Sequence, residues 1–259
     1  MPAFDPEHLR FGPWRLRLAP AVGLGLVVDG LAAADPTHDA GGPPADYVNA
    51  VLLAPEHTET FLGLVDRVGL VVCRDVGGDD ARHRDVRGRS SRGRLSQGEF
   101  FHHDGCAGPT KPRVVEIRCP YQEVPRHTFT AVAPFPEVVI AMLQELPEML
   151  CTGELGAWRV AVDDTAARPA LDWDLVQGTI NRAVRRSLPA EAQRAYLRGV
   201  DVRVGAHREP WAMGESRFIA NSNLGRTMQH RRAYLEEHTG KRPNGRLVKR
   251  WPAHVYDEP

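Results

Sequence analysis

Two stretches of this chain carry residues suited to metal chemistry. The first reads Phe100-Phe101-His102-His103-Asp104-Gly105; the second runs far downstream from Asn221 to Arg232 and contains His230. Two imidazoles and one carboxylate on a single metal face make a donor set that binds Fe(II) and leaves positions open for a co-substrate and for dioxygen (O2). Residues two apart in an extended segment project to the same side, so His102 and Asp104 can be presented together while His103 packs on the other face. Phe100 and Phe101 offer an apolar anchor for a strand ending in this pair, and Gly105 permits a sharp turn directly after it.

A His-x-Asp pair is a weak signal on its own in a chain with 11 histidines. His83-x-Asp85 is its equal as a pattern, and His57-x-Glu59 is a near match. The former lies among arginines and glycines with nothing apolar to hold it. The latter falls at the start of an expected helix, where positions i and i+2 point to different sides. Placement therefore favours His102 and Asp104, and the donor set is complete if His230 converges on them.

The elements that must position these residues are mostly short strands. Trp14–Leu18, Arg113–Cys119, His127–Val132, Trp158–Val162 and Val200–Val204 alternate or run apolar as strands do, as do Arg217–Asn221 and Arg246–Trp251. Leu24–Val28 and Gly69–Arg74 are short apolar runs that suit buried strands. Helical spacing marks Pro55–Val68, Glu137–Leu150 and Asp174–Leu188, and Glu191–Leu197 is a further helix candidate. Ala32–Asp46 reads as loop. Residues from about 77 to 98 are rich in Arg and Gly and poor in large apolar side chains, which suits a mobile loop or a lid over an anionic group. The expected fold is mainly β with flanking helices (α+β): a double-stranded β-helix, or jelly-roll, barrel of the cupin kind spanning 1–259 as one domain.

Composition limits the partners. The chain of 259 residues balances 33 Lys and Arg against 33 Asp and Glu, so no basic field recruits nucleic acid or an anionic membrane. No stretch approaches the roughly 20 apolar residues of a membrane span. Met1–His8 has neither the basic stretch nor the apolar run of a signal peptide. Cys73, Cys106, Cys119 and Cys151 form no C-x-x-C pair and read as mostly reduced, buried thiols of a cytoplasmic protein, with a Cys106–Cys119 disulfide as the minor alternative. No Gly-x-Ser-x-Gly elbow marks a hydrolase, and Gly23, Gly25 and Gly30 do not make a dinucleotide fingerprint. The expected partner is a small-molecule substrate; the sequence leaves the oligomeric state open.

With these motifs in order, the chain resembles the Fe(II)/2-oxoglutarate-dependent dioxygenases, in particular the taurine dioxygenase and clavaminate synthase-like group. An aromatic residue before His-x-Asp is matched by Phe101-His102-His103-Asp104. The distal motif is matched by Trp211–Asn221 leading through Arg226-Thr227 to His230, with Arg231 or Arg232 beside it. A strand bearing two arginines four apart is matched by Arg246 and Arg250, and Gly69–Arg74 resembles the strand that opens the family core. The resemblance spans about residues 64–252.

It implies that His102, Asp104 and His230 are the iron ligands and that Arg246 pairs with the distal carboxylate of 2-oxoglutarate, a role that suits the planar guanidinium fork. It further implies a Thr contact to that carboxylate from Thr128, or else Thr130, and a role for Arg250 toward the substrate or co-substrate. The family's Gly-Gly-Asp/Glu-Thr stretch is replaced here by Pro125-Arg126-His127-Thr128. The implied cofactors are Fe(II), 2-oxoglutarate and O2. The implied reaction is oxidation of a C–H bond, with hydroxylation, desaturation or ring closure as outcomes, on a small polar, amino-acid-like metabolite in bacterial specialised metabolism. Asp104 argues against the related halogenases, which carry a small residue in place of the carboxylate. The alternatives are a cupin-like metal enzyme that does not use 2-oxoglutarate and a non-catalytic binder on the same fold.

Overall fold

The computed structural model describes residues 9–35, 37, 41–76, 84–85, 95, 97–104, 112–119, 128–221, 227–234 and 248–250. The strands are β1 (Arg10–Phe11), β2 (Trp14–Pro20), β3 (Leu26–Ala33), β4 (Leu70–Cys73), β5 (Arg84–Asp85), β6 (Val114–Cys119), β7 (Thr128–Pro134), β8 (Glu215–Ala220), β9 (Met228–Tyr234) and β10 (Val248–Arg250). The helices are α1 (Thr58–Val68), α2 (Phe135–Gln144), α3 (Gly153–Ala161), α4 (Trp173–Ser187) and α5 (Ala190–Arg203). Eight strands form one sheet in the order β1-β2-β3-β4-β8-β6-β10-β5, and β7 pairs with β9 in a second. Within the large sheet only β3 and β4 run parallel among the described residues.

Alternation along β8 sets the layers. Phe218 meets the Phe61 ring of α1 edge-on at 4.9 Å. Its neighbour Arg217 projects the other way, where the guanidinium donates to the Thr130 carbonyl of β7 at 3.5 Å. Helix α1 therefore covers one face of the large sheet and the β7–β9 sheet covers the other. Side chains on β7 and β9 split in the same manner. Val132 and Met228 belong to the core of the large sheet, while Phe129, Ala131, Ala133 and Ala233 belong to a core filled by α2, α4 and α5. Gly69, which ends α1 at φ 81°, lets Met228 come close: a Cβ there would sit 2.9 Å from its sulfur.

The result is a mixed α+β protein rather than a mainly β one, and its two sheets do not close into a barrel among the described residues. Two expected strands are helical. Trp158–Val162 falls on α3 and its C-cap, and Val200–Val204 falls on the last turn of α5 and its C-cap. Alternate apolar positions i and i+4 also lie on one helix face, so five residues satisfy both periods. Val200 and Val162 are buried, whereas Val202 and Val160 are exposed. Two expected boundaries also shift: β3 runs on through Ala33, and the 137–150 helix stops at Gln144 before Pro147 and a short 3-10 turn. Strand β9, which no simple alternation announces, is the one that carries His230. No helix among the described residues is long and apolar enough to cross a membrane. The Arg/Gly-rich stretch lies largely outside the described residues; of it, Arg84–Asp85 forms β5.

Candidate metal centre

The Phe100–Asp104 segment forms no ladder of its own. It follows a 3-10 turn (Gln97–Glu99) and meets β9 through one bridge, His102 opposite His230. On β9 His230 lies opposite Val132, and Val132 in turn bridges His207. His102, His230, Val132 and His207 thus form one row, four chain segments wide. Directly opposed residues of antiparallel segments share a face, so the two imidazoles are delivered to the same side, toward the large sheet.

Phe100 and Phe101 are both buried in the helical core, which anchors this segment as its sequence suggests. The strand behind His230 is fixed from the opposite face. Gln229 exchanges hydrogen bonds with Gln177 of α4, Nε2 to Oε1 at 2.8 Å and 2.6 Å in the return direction. Arg231 donates to both oxygens of Asp201 on α5, at 2.8 and 2.5 Å, and to the Glu99 carbonyl at 3.2 Å. Gln177 also donates to the Phe101 carbonyl at 3.3 Å. The same two helices therefore grip both segments that carry the histidines.

His102, Asp104 and His230 each offer one ligand atom within 4.8 Å of the others. Asp104 Oδ1 lies 3.6 Å from His102 Nε2, and its Oδ2 lies 3.5 Å from His230 Nε2. The imidazole centroids are 4.5 Å apart. His102 Nδ1 is 2.8 Å from the Phe100 carbonyl, which can only accept, so Nδ1 carries the proton. When His102 is neutral, its Nε2 lone pair faces a carboxylate oxygen. A small cation between them turns that repulsion into coordination, and an Nδ1–H bond to a carbonyl is the usual support of a metal-bound imidazole. The donor set fits a divalent iron by ligand type and by number.

His103 points elsewhere. It is buried, edge-on to Phe135 at 4.8 Å, with Gln229 Nε2 3.4 Å from its Nδ1. Of the rival pairs, His57 stands at the N-cap position of α1 and its ring packs edge-on against Phe11 at 5.7 Å, while Glu59 pairs with Arg113 at 2.9 Å, so the two do not converge. His83 lies outside the described residues.

The remaining expected residues are placed unevenly. Arg246 lies outside the described residues. Arg250 is placed by its backbone alone, opposite Glu116 in the β10–β6 register. Thr130 is buried and stands on the His230 side of the β7–β9 ladder, opposite Arg232, while Thr128 is placed by its backbone alone, opposite Tyr234. Arg231 and Arg232 separate cleanly: Arg231 braces the strand from behind, and Arg232 shares the His230 face. The sequence reading gave no role to Asn221, Gln177, Asp201 or His207. Their partners lie far away in the chain, 117 residues for Asn221 and Asp104 and 185 for His207 and Val22, beyond the reach of local pattern.

No family model and no curated protein matches the sequence. Among solved structures the chain is similar to PvcB from Pseudomonas aeruginosa at 16% identity and TM-score 0.41, covering 99% of this chain and 96% of that one. It is similar to a taurine dioxygenase from Burkholderia xenovorans at 12% identity and TM-score 0.43, covering 90% and 89%. A third is AAD-2 in complex with Mn(II) and N-oxalylglycine, at 13% identity and TM-score 0.40, covering 90% and 97%. PvcB is described as an Fe, alpha-ketoglutarate dependent oxygenase from an isonitrile synthetic pathway.

Proposed function

We propose that the protein is an Fe(II)- and 2-oxoglutarate-dependent oxygenase acting on a C–H bond of a small polar, amino-acid-like metabolite, with His102, Asp104 and His230 as the iron ligands. The observation that carries this reading is the convergence of two imidazoles and one carboxylate within 4.8 Å, drawn from positions more than 100 residues apart in the chain. An iron held by these three side chains would keep further coordination positions for small molecules. In that role the iron, with 2-oxoglutarate and O2, supplies the oxidising power for C–H cleavage.

The chain's own residues bind and aim. His102 offers Nε2 because Phe100 holds the proton on Nδ1. Asp104 spans both imidazoles with its two oxygens. Arg246 is the proposed partner of the distal carboxylate of 2-oxoglutarate, Thr128 or Thr130 its second contact, and Arg250 a substrate or co-substrate contact. Thr130 and Arg232, on the His230 side of β7 and β9, add a hydroxyl and a cation to the wall nearest the ligand. The large sheet and the β7–β9 sheet are read as the two walls of a jelly roll, with the site between them.

The test is a panel of amino acids and their derivatives incubated with Fe(II), 2-oxoglutarate and O2, followed as succinate released. Substrate-stimulated succinate that falls at least tenfold in Arg246→Ala supports the reading. Succinate release that is unchanged in that variant removes Arg246 from the co-substrate site; substrate turnover without succinate removes 2-oxoglutarate and leaves a cupin-like metal enzyme; no turnover and no ligand-dependent signal leaves a binder.

A further inference from the structure

Asp104 sits two residues past the bridge at His102, and its main chain is held from the large sheet. Asn221, the residue following β8, is buried. Its Oδ1 accepts from Asp104 N at 2.7 Å, and its Nδ2 donates to Asp104 O at 3.1 Å and to Pro112 O at 2.8 Å. Its own backbone N donates to Arg113 O at 2.8 Å, which continues the β8–β6 ladder by one step. One acceptor and both amide donors are thereby used, and the side chain has a single orientation that satisfies all three.

From this geometry we infer that Asn221 is a positioning residue for the metal centre: it grips both main-chain polar groups of Asp104 and so sets where that carboxylate stands relative to His102 and His230. The grip is on the backbone alone, which leaves Oδ1 and Oδ2 facing the two Nε2 atoms at 3.6 and 3.5 Å. His102 and His230 are fixed through the small sheet and the helices behind it. Asp104 is fixed through Asn221 to the large sheet. A metal held by all three joins the two sheets, and Asn221 is the link on the large-sheet side. Groups that orient a ligand without touching the metal are worth roughly 10- to 100-fold in affinity.

This inference rests on the metal part of the proposed reading and on none of the 2-oxoglutarate chemistry, so the test omits the co-substrate. Co(II), a spectroscopic stand-in for Fe(II), is titrated into wild type, Asn221→Ala, Asn221→Asp and Tyr196→Phe. The aspartate has the volume of asparagine and can accept from Asp104 N, but it turns an oxygen instead of an N–H toward the two carbonyls. The tyrosine variant removes a buried hydrogen bond to the Met142 carbonyl, 2.8 Å in the native protein, in the helical core.

The expected result is a Kd for Co(II) raised roughly 10- to 100-fold in both Asn221 variants, with an altered visible spectrum at saturation, and a Kd within about twofold of wild type in Tyr196→Phe. If Asn221→Ala fails to fold, the isosteric aspartate decides. Asn221 variants that lose thermal stability but bind Co(II) as wild type does, with the wild-type spectrum, overturn the inference and make the residue a structural clamp only. A wild type that binds no Co(II) overturns the metal reading and this inference together. A wild type that binds Co(II) but never forms succinate overturns the oxygenase reading alone.

Discussion

His102 and His230 face each other across a reciprocal pair of backbone hydrogen bonds, 3.1 Å from His102 N to His230 O and 3.2 Å from His230 N to His102 O. Such a pair fixes the separation of the two Cα atoms at about 5.5 Å before any side chain is placed. The spacing of the two imidazoles is thus a property of the main chain, and ring packing at a centroid distance of 4.5 Å follows from it.

A site assembled before the metal arrives should stabilise the protein on binding. At a free metal concentration about 100 times Kd, mass action adds about 2.7 kcal/mol to the folded state. Differential scanning calorimetry under anaerobic conditions should show Tm rising with Fe(II) or Mn(II) in wild type and staying flat in Asp104→Ala.

The brace behind β9 should be costly to break from one side. Arg231 and Asp201 are both buried, joined by two hydrogen bonds of 2.8 and 2.5 Å. Among the described residues, Arg231→Met leaves the Asp201 carboxylate with only the more distant Arg208, 3.8 Å away, for a cation. The expected loss is about 3–5 kcal/mol in urea denaturation. Replacing both partners, as Arg231→Met with Asp201→Leu, should cost less than the single change, because no charge is then stranded.

Acid should weaken the fold partly through His207. Burial, and after it the nearby Arg217 guanidinium, holds this imidazole below its ordinary value of 6.5. The native state then binds the proton less readily than the unfolded chain. The stabilisation is full above the unfolded value and is lost as pH falls through it toward the lowered native one. Urea midpoints measured between about pH 7.5 and about pH 5 should fall more steeply in wild type than in His207→Gln.

Buried thiols should resist alkylation. Burial pushes the Cys119 thiol up to about 11, and burial raises the Cys73 thiol further still. Little thiolate exists at either position near neutral pH. Iodoacetamide mapping by mass spectrometry should find both unmodified in the native protein and both modified in urea.

Several features were legible because they are local. The Phe100-Phe101 anchor, the turning of His103 away from His102 and the helices α1 and α4 follow from spacing within a dozen residues. Strand β9 was not legible: Gln229 and Arg231 break its apolar pattern, and they are tolerated in the interior only because Gln177 and Asp201 arrive from α4 and α5. The helical fate of Trp158–Val162 and Val200–Val204 was hidden by a window too short to separate a period of two from one of 3.6. Asn221 stood in a recognised motif, but its task depends on where Asp104 lies in space, which no sequence spacing records.

Under the proposed reading His102, and not its neighbour His103, joins Asp104 and His230 in holding an iron that also binds 2-oxoglutarate. Anaerobic addition of Fe(II) and then 2-oxoglutarate, followed by visible absorption, tests it most directly. A metal-to-ligand charge-transfer band is expected in wild type and in His103→Gln, and no such band in His102→Ala. A wild type with no band, or a band that survives in His102→Ala and vanishes in His103→Gln, would contradict it.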